Sequence, residues 1–320
     1  MKVLYVAQPG AVHPWHEDFA AALGDEFDVP MWTPGQPFAA QVQDAIAVAN
    51  VGAFFEPHMV PEAREAGVKL WQLFFEGYDQ LDLDLFRTND LPVANTPGHF
   101  SERALAEHAL MLMLCTAKGF PRSQRDLKSG VFARSFGHEL HGATLGLIGL
   151  GASARELAHL VRPFGLRVIG LDPAGAAAVE AARLGVDVLG GRERLGELLS
   201  RADFVSIHVP LTPSTRHMIG AAELATMKRG AILINVSRGQ IVDQSALLDA
   251  LRSGQIAGAG LDVFAVEPLP LDDPLLLLDN VVLTPHVAAA TYETSTRRGA
   301  VAAKNVQRVV RGEEPLYVVT

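Results

Sequence analysis

The chain has 320 residues, 49% of them apolar, and a formal net charge of −9. That length favours two cores over one. An acidic chain with no Lys/Arg block argues against a nucleic-acid partner, and an anionic substrate would need a local cation. The single cysteine, Cys115, excludes an internal disulfide or a cysteine metal cluster, so no metal site is expected.

Val3–Ala7 reads as a strand, and the N-terminus carries no leader-like apolar stretch. No run reaches the roughly 18 apolar residues of a membrane span, and a cytoplasmic location is expected. His16–Leu23 and Phe38–Ala49 read as helices, and Gly52–Phe55 as a buried strand. Lys69–Phe74 is another apolar run, followed by the turn Glu76-Gly77-Tyr78-Asp79. Such alternation predicts a parallel sheet with helices on its faces.

The pattern changes after Asn95-Thr96-Pro97-Gly98. Ser101 is a plausible N-cap for a helix reaching about Lys118. Its nearly all-round apolar character predicts burial between domains or at a dimer seam, with Cys115 as core. Pro121–His141 reads as polar connection. A second βα series follows, with strands expected at Thr144–Ile148, Arg167–Leu171, Asp187–Leu189, Phe204–Val209, Ala231–Val236, Gly258–Val263 and Val281–Thr284. A last helix, near Ala289–Arg311, is long enough to return to the first domain. The expected fold is α/β with two doubly wound parallel-sheet domains. A Rossmann domain, 98–286, is inserted into a flavodoxin-like substrate domain made of 1–97 and 287–320.

Gly149-Leu-Gly151-Ala152-Ser153-Ala154 follows an apolar strand and opens a helix. Gly149 permits a tight turn, Gly151 lets backbone approach a pyrophosphate, and Ala154 is small enough for helix–strand packing. The helix N-terminus offers free N–H groups to the phosphates. Alone this also fits an ordinary glycine-rich βα turn. Asp172, ending the next strand, adds a carboxylate about 20 residues on, suited to ribose hydroxyls and hostile to a 2′-phosphate. NAD is therefore favoured over NADP.

Three side chains at later strand ends suit hydride exchange with a 2-oxo acid. Arg238, in Val236-Ser237-Arg238-Gly239, offers a bidentate guanidinium for a carboxylate. His286, behind Thr284-Pro285, can act as general acid and base. An adjacent carboxylate would fix its tautomer, and Asp262 and Glu267 are the candidates. Singly, each also fits a surface or packing role.

In order, Gly149-x-Gly151, Asp172, His208-Val209-Pro210, Val236-Ser237-Arg238-Gly, Leu261-Asp262-Val-Phe with Glu267-Pro, and Leu283-Thr-Pro-His286 resemble the successive signatures of the D-isomer-specific 2-hydroxyacid dehydrogenases. Gly77-Tyr78-Asp79 and Asn95-Thr-Pro-Gly fit as well. The resemblance implies an NAD-dependent oxidoreductase acting on a small 2-oxo or 2-hydroxy acid. Arg238 would bind the substrate, and His286 would exchange the proton with Glu267 as its partner. His208, Val209 and Pro210 would line the adenosine end of the cofactor. Val236, Ser237, Asp262 and Ala288 would join Arg238 and His286 at its nicotinamide end. Backbone at Glu76 and Gly77 would meet the substrate. A homodimer is expected. A corepressor-like NAD(H) sensor with little turnover is the alternative.

Two departures stand out. Ala152 stands where many relatives place a cation, with Arg155 able to compensate. Glu76 puts a carboxylate beside anion-binding backbone, where it would repel a 2-oxo acid unless it turns away or pairs with an arginine. Phe54, Phe55, Phe74 and Phe75 nearby read as core more readily than as pocket wall.

Overall fold

The structure is a computed structural model and describes residues 1–7, 14–52, 55–134, 136–172 and 178–320. It divides into two compact units, one made of Met1–Phe100 with Ala290–Thr320, the other of Ser101–Ala289.

The first unit opens with β1 (Lys2–Ala7), α1 (Trp15–Leu23), α2 (Phe38–Val42) and β2 (Ala45–Val51). It continues with α3 (Met59–Glu65), β3 (Leu70–Leu73), α4 (Leu83–Thr88) and β4 (Val93–Ala94). The four strands pair in chain order, all parallel. An extended segment bridges the free side of β1 through Asp28 and Met31, again in parallel. Counting it as the second strand gives the flavodoxin-like order 2-1-3-4-5.

The expected helix Phe38–Ala49 is a correction. It stops at Val42, Asp44 takes φ +61, and the chain re-enters as β2. Alanine spacing mimicked a helix, yet Ile46, Val48 and Val51 are β-branched and the strand is covered on both faces, which removes the alternation a half-buried strand shows. The strand expected at Gly52–Phe55 therefore lies one element earlier. Gly52 is a turn, Phe55 is irregular, and Ala53 and Phe54 lie outside the described residues.

The second unit holds α5 (Glu102–Ala117), α6 (Phe120–Lys128), β5 (Thr144–Ile148), α7 (Ala152–Val161), β6 (Arg167–Leu171) and α8 (Ala178–Arg183). Next come β7 (Val186–Gly190), α9 (Leu195–Arg201), β8 (Phe204–Ile207) and α10 (Ala221–Thr226). The unit ends with β9 (Ile232–Asn235), α11 (Gln244–Arg252), β10 (Gly258–Leu261) and β11 (Val281–Leu283). The parallel order β11-β10-β9-β8-β5-β6-β7 reverses direction between β5 and β8, the switch point where a doubly wound sheet opens its crevice. Finally α12 (Tyr292–Val310) joins the first unit, packing on α1 and β3.

Ser101 stands at the N-cap position of α5, but the predicted side-chain cap bond is not made. Ala106, Ala109, Leu112 and Met113 of α5 are buried in one cluster with Leu145, Leu147 and Ile234 of the sheet. One face of the helix is thus core of its own unit. Cys115 is only half-buried on it. Pro121–His141 is not all connection, because its first residues through Lys128 belong to α6, whose Phe120 and Leu127 stay exposed. In the first unit Phe74 is buried against Tyr5 and Phe19, and Phe55 stacks on Phe86 at 5.5 Å. Phe75 packs against both clusters. These aromatics are core.

Candidate active site

β5 ends in the glycine turn at the switch point. Gly149 takes φ +92, and a Cβ there would lie 2.8 Å from both the His208 carbonyl oxygen and Val209 Cγ1. Gly151 caps α7, with open space where its Cβ would stand. Ala152 and Ser153 form the first turn of the helix, and Ala154 is buried beneath it. Arg155 donates to the Leu150 carbonyl at 2.8 Å and pairs with Glu180 at 3.3 Å, so it braces the turn. Asp172 follows β6, its N–H bonded to Gly190. This cradle fits a dinucleotide: glycine backbone, unobstructed helix N–H groups and a carboxylate at the next strand end.

His208 follows β8, with Ser153 Oγ 3.0 Å from Nδ1 and Ser206 Oγ 2.9 Å from Nε2. Burial drives its pKa down to about 4. The Val209 carbonyl accepts the Ser237 hydroxyl, tying the ends of β8 and β9, while Pro210 is exposed and accepts Thr215 Oγ1 at 2.7 Å. Val236 is buried at the end of β9.

The three expected catalytic side chains come together at the ends of β9, β10 and β11. Glu267 Oε2 lies 2.7 Å from His286 Nδ1, and Oε1 accepts the Phe264 N–H at 2.9 Å. Burial pushes the Glu267 carboxyl upward, but the hydrogen bond and charge of His286, the Phe264 N–H and the Arg238 guanidinium outweigh it, leaving its pKa below the ordinary range. His286 sits in the left-handed region at φ +53, its N–H held by the Asp262 carbonyl at 2.7 Å. Its side chain is 46% exposed. Arg238 is half-buried; its Nη1 donates to the Ser237 carbonyl, and Asn235 Nδ2 holds the Arg238 carbonyl at 2.9 Å.

Asp262 is fully buried. Its Oδ1 accepts Thr284 Oγ1 at 2.6 Å and the Val287 N–H at 2.9 Å, and Oδ2 accepts the Ala288 N–H at 2.8 Å. His108 of α5 closes the set, 2.9 Å from Thr284 and 3.4 Å from Asp262. Burial raises the carboxyl, the bonds from His108, Thr284, Val287 and Ala288 lower it more, and the pKa ends below its ordinary value. Asp262 thus organises the loop that carries His286. Its depressed pKa means that its stabilisation is complete above the unfolded value of about 3.9 and lost as pH falls through the lower folded value. Asp262→Asn turns an amide against N–H donors and is expected to cost about 3 kcal/mol at pH 7. Thermal unfolding at a series of pH values checks this, and the deficit should shrink toward acid.

His108, Ser206 and Gly239 were missed in the sequence. A lone polar residue in an apolar strand was the available signal for Ser206, while His108, directly after Glu107, gave none. Gly239 matters through a backbone contact with Phe264 that no local pattern reports.

In the first unit Glu76 and Gly77 follow β3, with the Glu76 carbonyl bonded to Asn95 at 2.8 Å. The Glu76 carboxylate lies over Gly98, 2.5 Å from where a Cβ would be. Burial drives the Arg298 pKa down to about 10, with Glu76 attracting the guanidinium and Arg297 opposing it. Glu76 thus has the arginine counter-charge that one sequence expectation required.

A family model described as D-isomer specific 2-hydroxyacid dehydrogenase, NAD binding domain, matches residues 110–288. The chain is 38% identical over 306 residues to a glyoxylate reductase of Korarchaeum cryptofilum, covering 92% of this chain and 90% of that one. It is 37% identical over 305 residues to a D-3-phosphoglycerate dehydrogenase of Methanocaldococcus jannaschii, covering 94% of this chain but spanning only 57% of that relative's length. The NAD-complexed D-isomer specific 2-hydroxyacid dehydrogenase of Lactobacillus delbrueckii ssp. bulgaricus superposes with a TM-score of 0.79 at 26% identity, over all of both chains. Among the described residues no helix is long and apolar enough to cross a membrane. Both sheets are parallel, the glycine turn fits NAD, and the chain belongs to the D-isomer-specific 2-hydroxyacid dehydrogenase family.

Proposed function

We propose that this chain interconverts a small 2-oxo acid and its D-2-hydroxy acid, with NAD(H) as the partner in hydride exchange. The observation that carries the reading is the 2.7 Å contact of His286 Nδ1 with a Glu267 carboxylate that also feels Arg238. The Gly149–Ser153 turn, Asp172 and the ends of β8 to β11 would hold the cofactor, which when bound supplies or accepts the hydride. Arg238 would clamp the substrate carboxylate, assisted by backbone at Glu76 and Gly77. Ionised Glu267 keeps the proton on Nδ1, so Nε2 is the nitrogen that gives a proton to the substrate oxygen and takes it back in the reverse direction. Asp262 positions this histidine through the backbone of residues 286–288.

Turnover with NADH and a panel of 2-oxo acids, NADPH run in parallel, tests the reading and separates it from a non-catalytic NAD(H) sensor. Binding of NADH with no reduction of any member of the panel would defeat it. The same reading includes a cytoplasmic homodimer. Phe120, Leu127, Phe132 and Phe136 are among the exposed apolar side chains that a second copy would cover, and sedimentation of the purified protein tests for the dimer.

A further inference from the structure

Ser206 lies on the central strand β8 and is fully buried. Among the described residues its hydroxyl has one hydrogen-bond partner, Nε2 of His208 at 2.9 Å. The other ring nitrogen, Nδ1, lies 3.0 Å from Ser153 Oγ in the first turn of α7. The ring is neutral near pH 7, so one of its nitrogens donates and the other accepts.

Two arrangements satisfy the ring. In the first, Ser206 donates to Nε2 and Nδ1–H donates to Ser153. In the second, Nε2–H donates to Ser206, whose own proton is then left without an acceptor among the described residues. A buried donor left unmade is the costly outcome, so the first arrangement prevails. Ser153 Oγ is then already accepting, and its O–H is released to point away from the imidazole. In the second arrangement that O–H would turn back to Nδ1, and oxygen lone pairs would face an incoming anion.

We propose that Ser206, acting through His208, fixes Ser153 as a hydrogen-bond donor to the pyrophosphate of the dinucleotide, a role that rests on the NAD reading of the glycine turn. Position 152 is an alanine and brings no cation, and Arg155 is engaged with Leu150 and Glu180. A neutral O–H with a preset direction supplies part of what a charge would give. Ser153 is the residue that touches the ligand; Ser206 and His208 are positioning residues.

The test has two arms. Histidine-labelled protein without cofactor should show, by 15N NMR, the His208 tautomer protonated at Nδ1, with the signal assigned by its loss in His208→Asn. Titrations with NADH, ADP-ribose and adenosine then read the consequence. Ser153→Ala and Ser206→Ala should each weaken NADH and ADP-ribose about tenfold, as for loss of one charge-assisted hydrogen bond, and leave adenosine unchanged. Ser206→Ala should add nothing in a Ser153→Ala background, while Ser206→Thr, which restores the hydroxyl, should bind like the wild type. A ring protonated at Nε2, or losses that add in the double variant, would overturn the relay. Failure of the wild type to bind NADH or ADP-ribose would remove the NAD reading and the donor role with it, whatever tautomer the first arm reports.

Discussion

His286→Ala is expected to lower kcat for 2-oxo acid reduction about a thousandfold, within the range for loss of a positioned general acid, while NADH affinity changes little. The asymmetry follows from the contacts. The imidazole bonds to Glu267 at 2.7 Å, whereas the backbone N–H of residue 286 bonds to the Asp262 carbonyl and survives the substitution. The loop keeps its anchors through the Val287 and Ala288 N–H groups on Asp262. Glu267 loses its partner but is about one-third exposed, so water takes the place of the ring. The variant therefore lacks a proton donor in an otherwise intact site. Steady-state kinetics in both directions, with NADH binding followed by fluorescence, checks this. Retention of more than about a tenth of the wild-type kcat would assign the proton to another group.

Much of the second unit was legible because its strands are short apolar runs bounded by glycine, aspartate or proline. Thr144–Ile148 and Arg167–Leu171 have the same bounds in sequence and structure. Glu267 and His286 each follow a strand end, and parallel strands bring their ends to one edge, but it was the family resemblance that paired them. The misread elements fail for a shared physical reason. Ala45–Val51 is covered on both faces, so periodicity carries no information there. α6 has no buried residue, so no apolar stripe marks it in the sequence. The supports of the site were invisible because each depends on a neighbour far along the chain. His108 faces Thr284 and Asp262, and Ser206 faces a ring that in turn faces Ser153. Residue type and spacing identify the groups that do chemistry, but the groups that aim them are fixed only by packing.

Gly239→Ala tests whether the aim of the site depends on a single backbone crossing. A Cβ at 239 would lie 1.9 Å from the carbonyl carbon of Phe264 and 2.0 Å from its oxygen. No rotamer relieves a contact with main chain, so one of the two segments must move. Arg238 is the preceding residue on one segment, and Glu267 is bonded to the Phe264 N–H on the other. Either displacement separates the guanidinium from the carboxylate that orients His286. The local bracing resists it, since Gln240 Nε2 holds the Ala265 carbonyl at 3.0 Å and Gln244 Oε1 the Ala265 N–H at 2.9 Å. The expected result is a fall in kcat/KM of about a hundredfold or more, the usual penalty for a misplacement near 1 Å. It should come with a stability loss of about 3 kcal/mol from overpacking, seen as a lowered Tm. NADH affinity should fall less than kcat/KM, because the Gly149 turn that would hold the phosphates follows β5 and is a separate segment from this crossing. Gly149→Ala supplies the contrast: its φ of +92 and its 2.8 Å approach to His208 lie in the cofactor cradle, so NADH affinity should fall first there. Wild-type kcat/KM in Gly239→Ala would mean that the loop carrying Glu267 tolerates displacement, and that the contact between Glu267 and His286 is not what sets the rate.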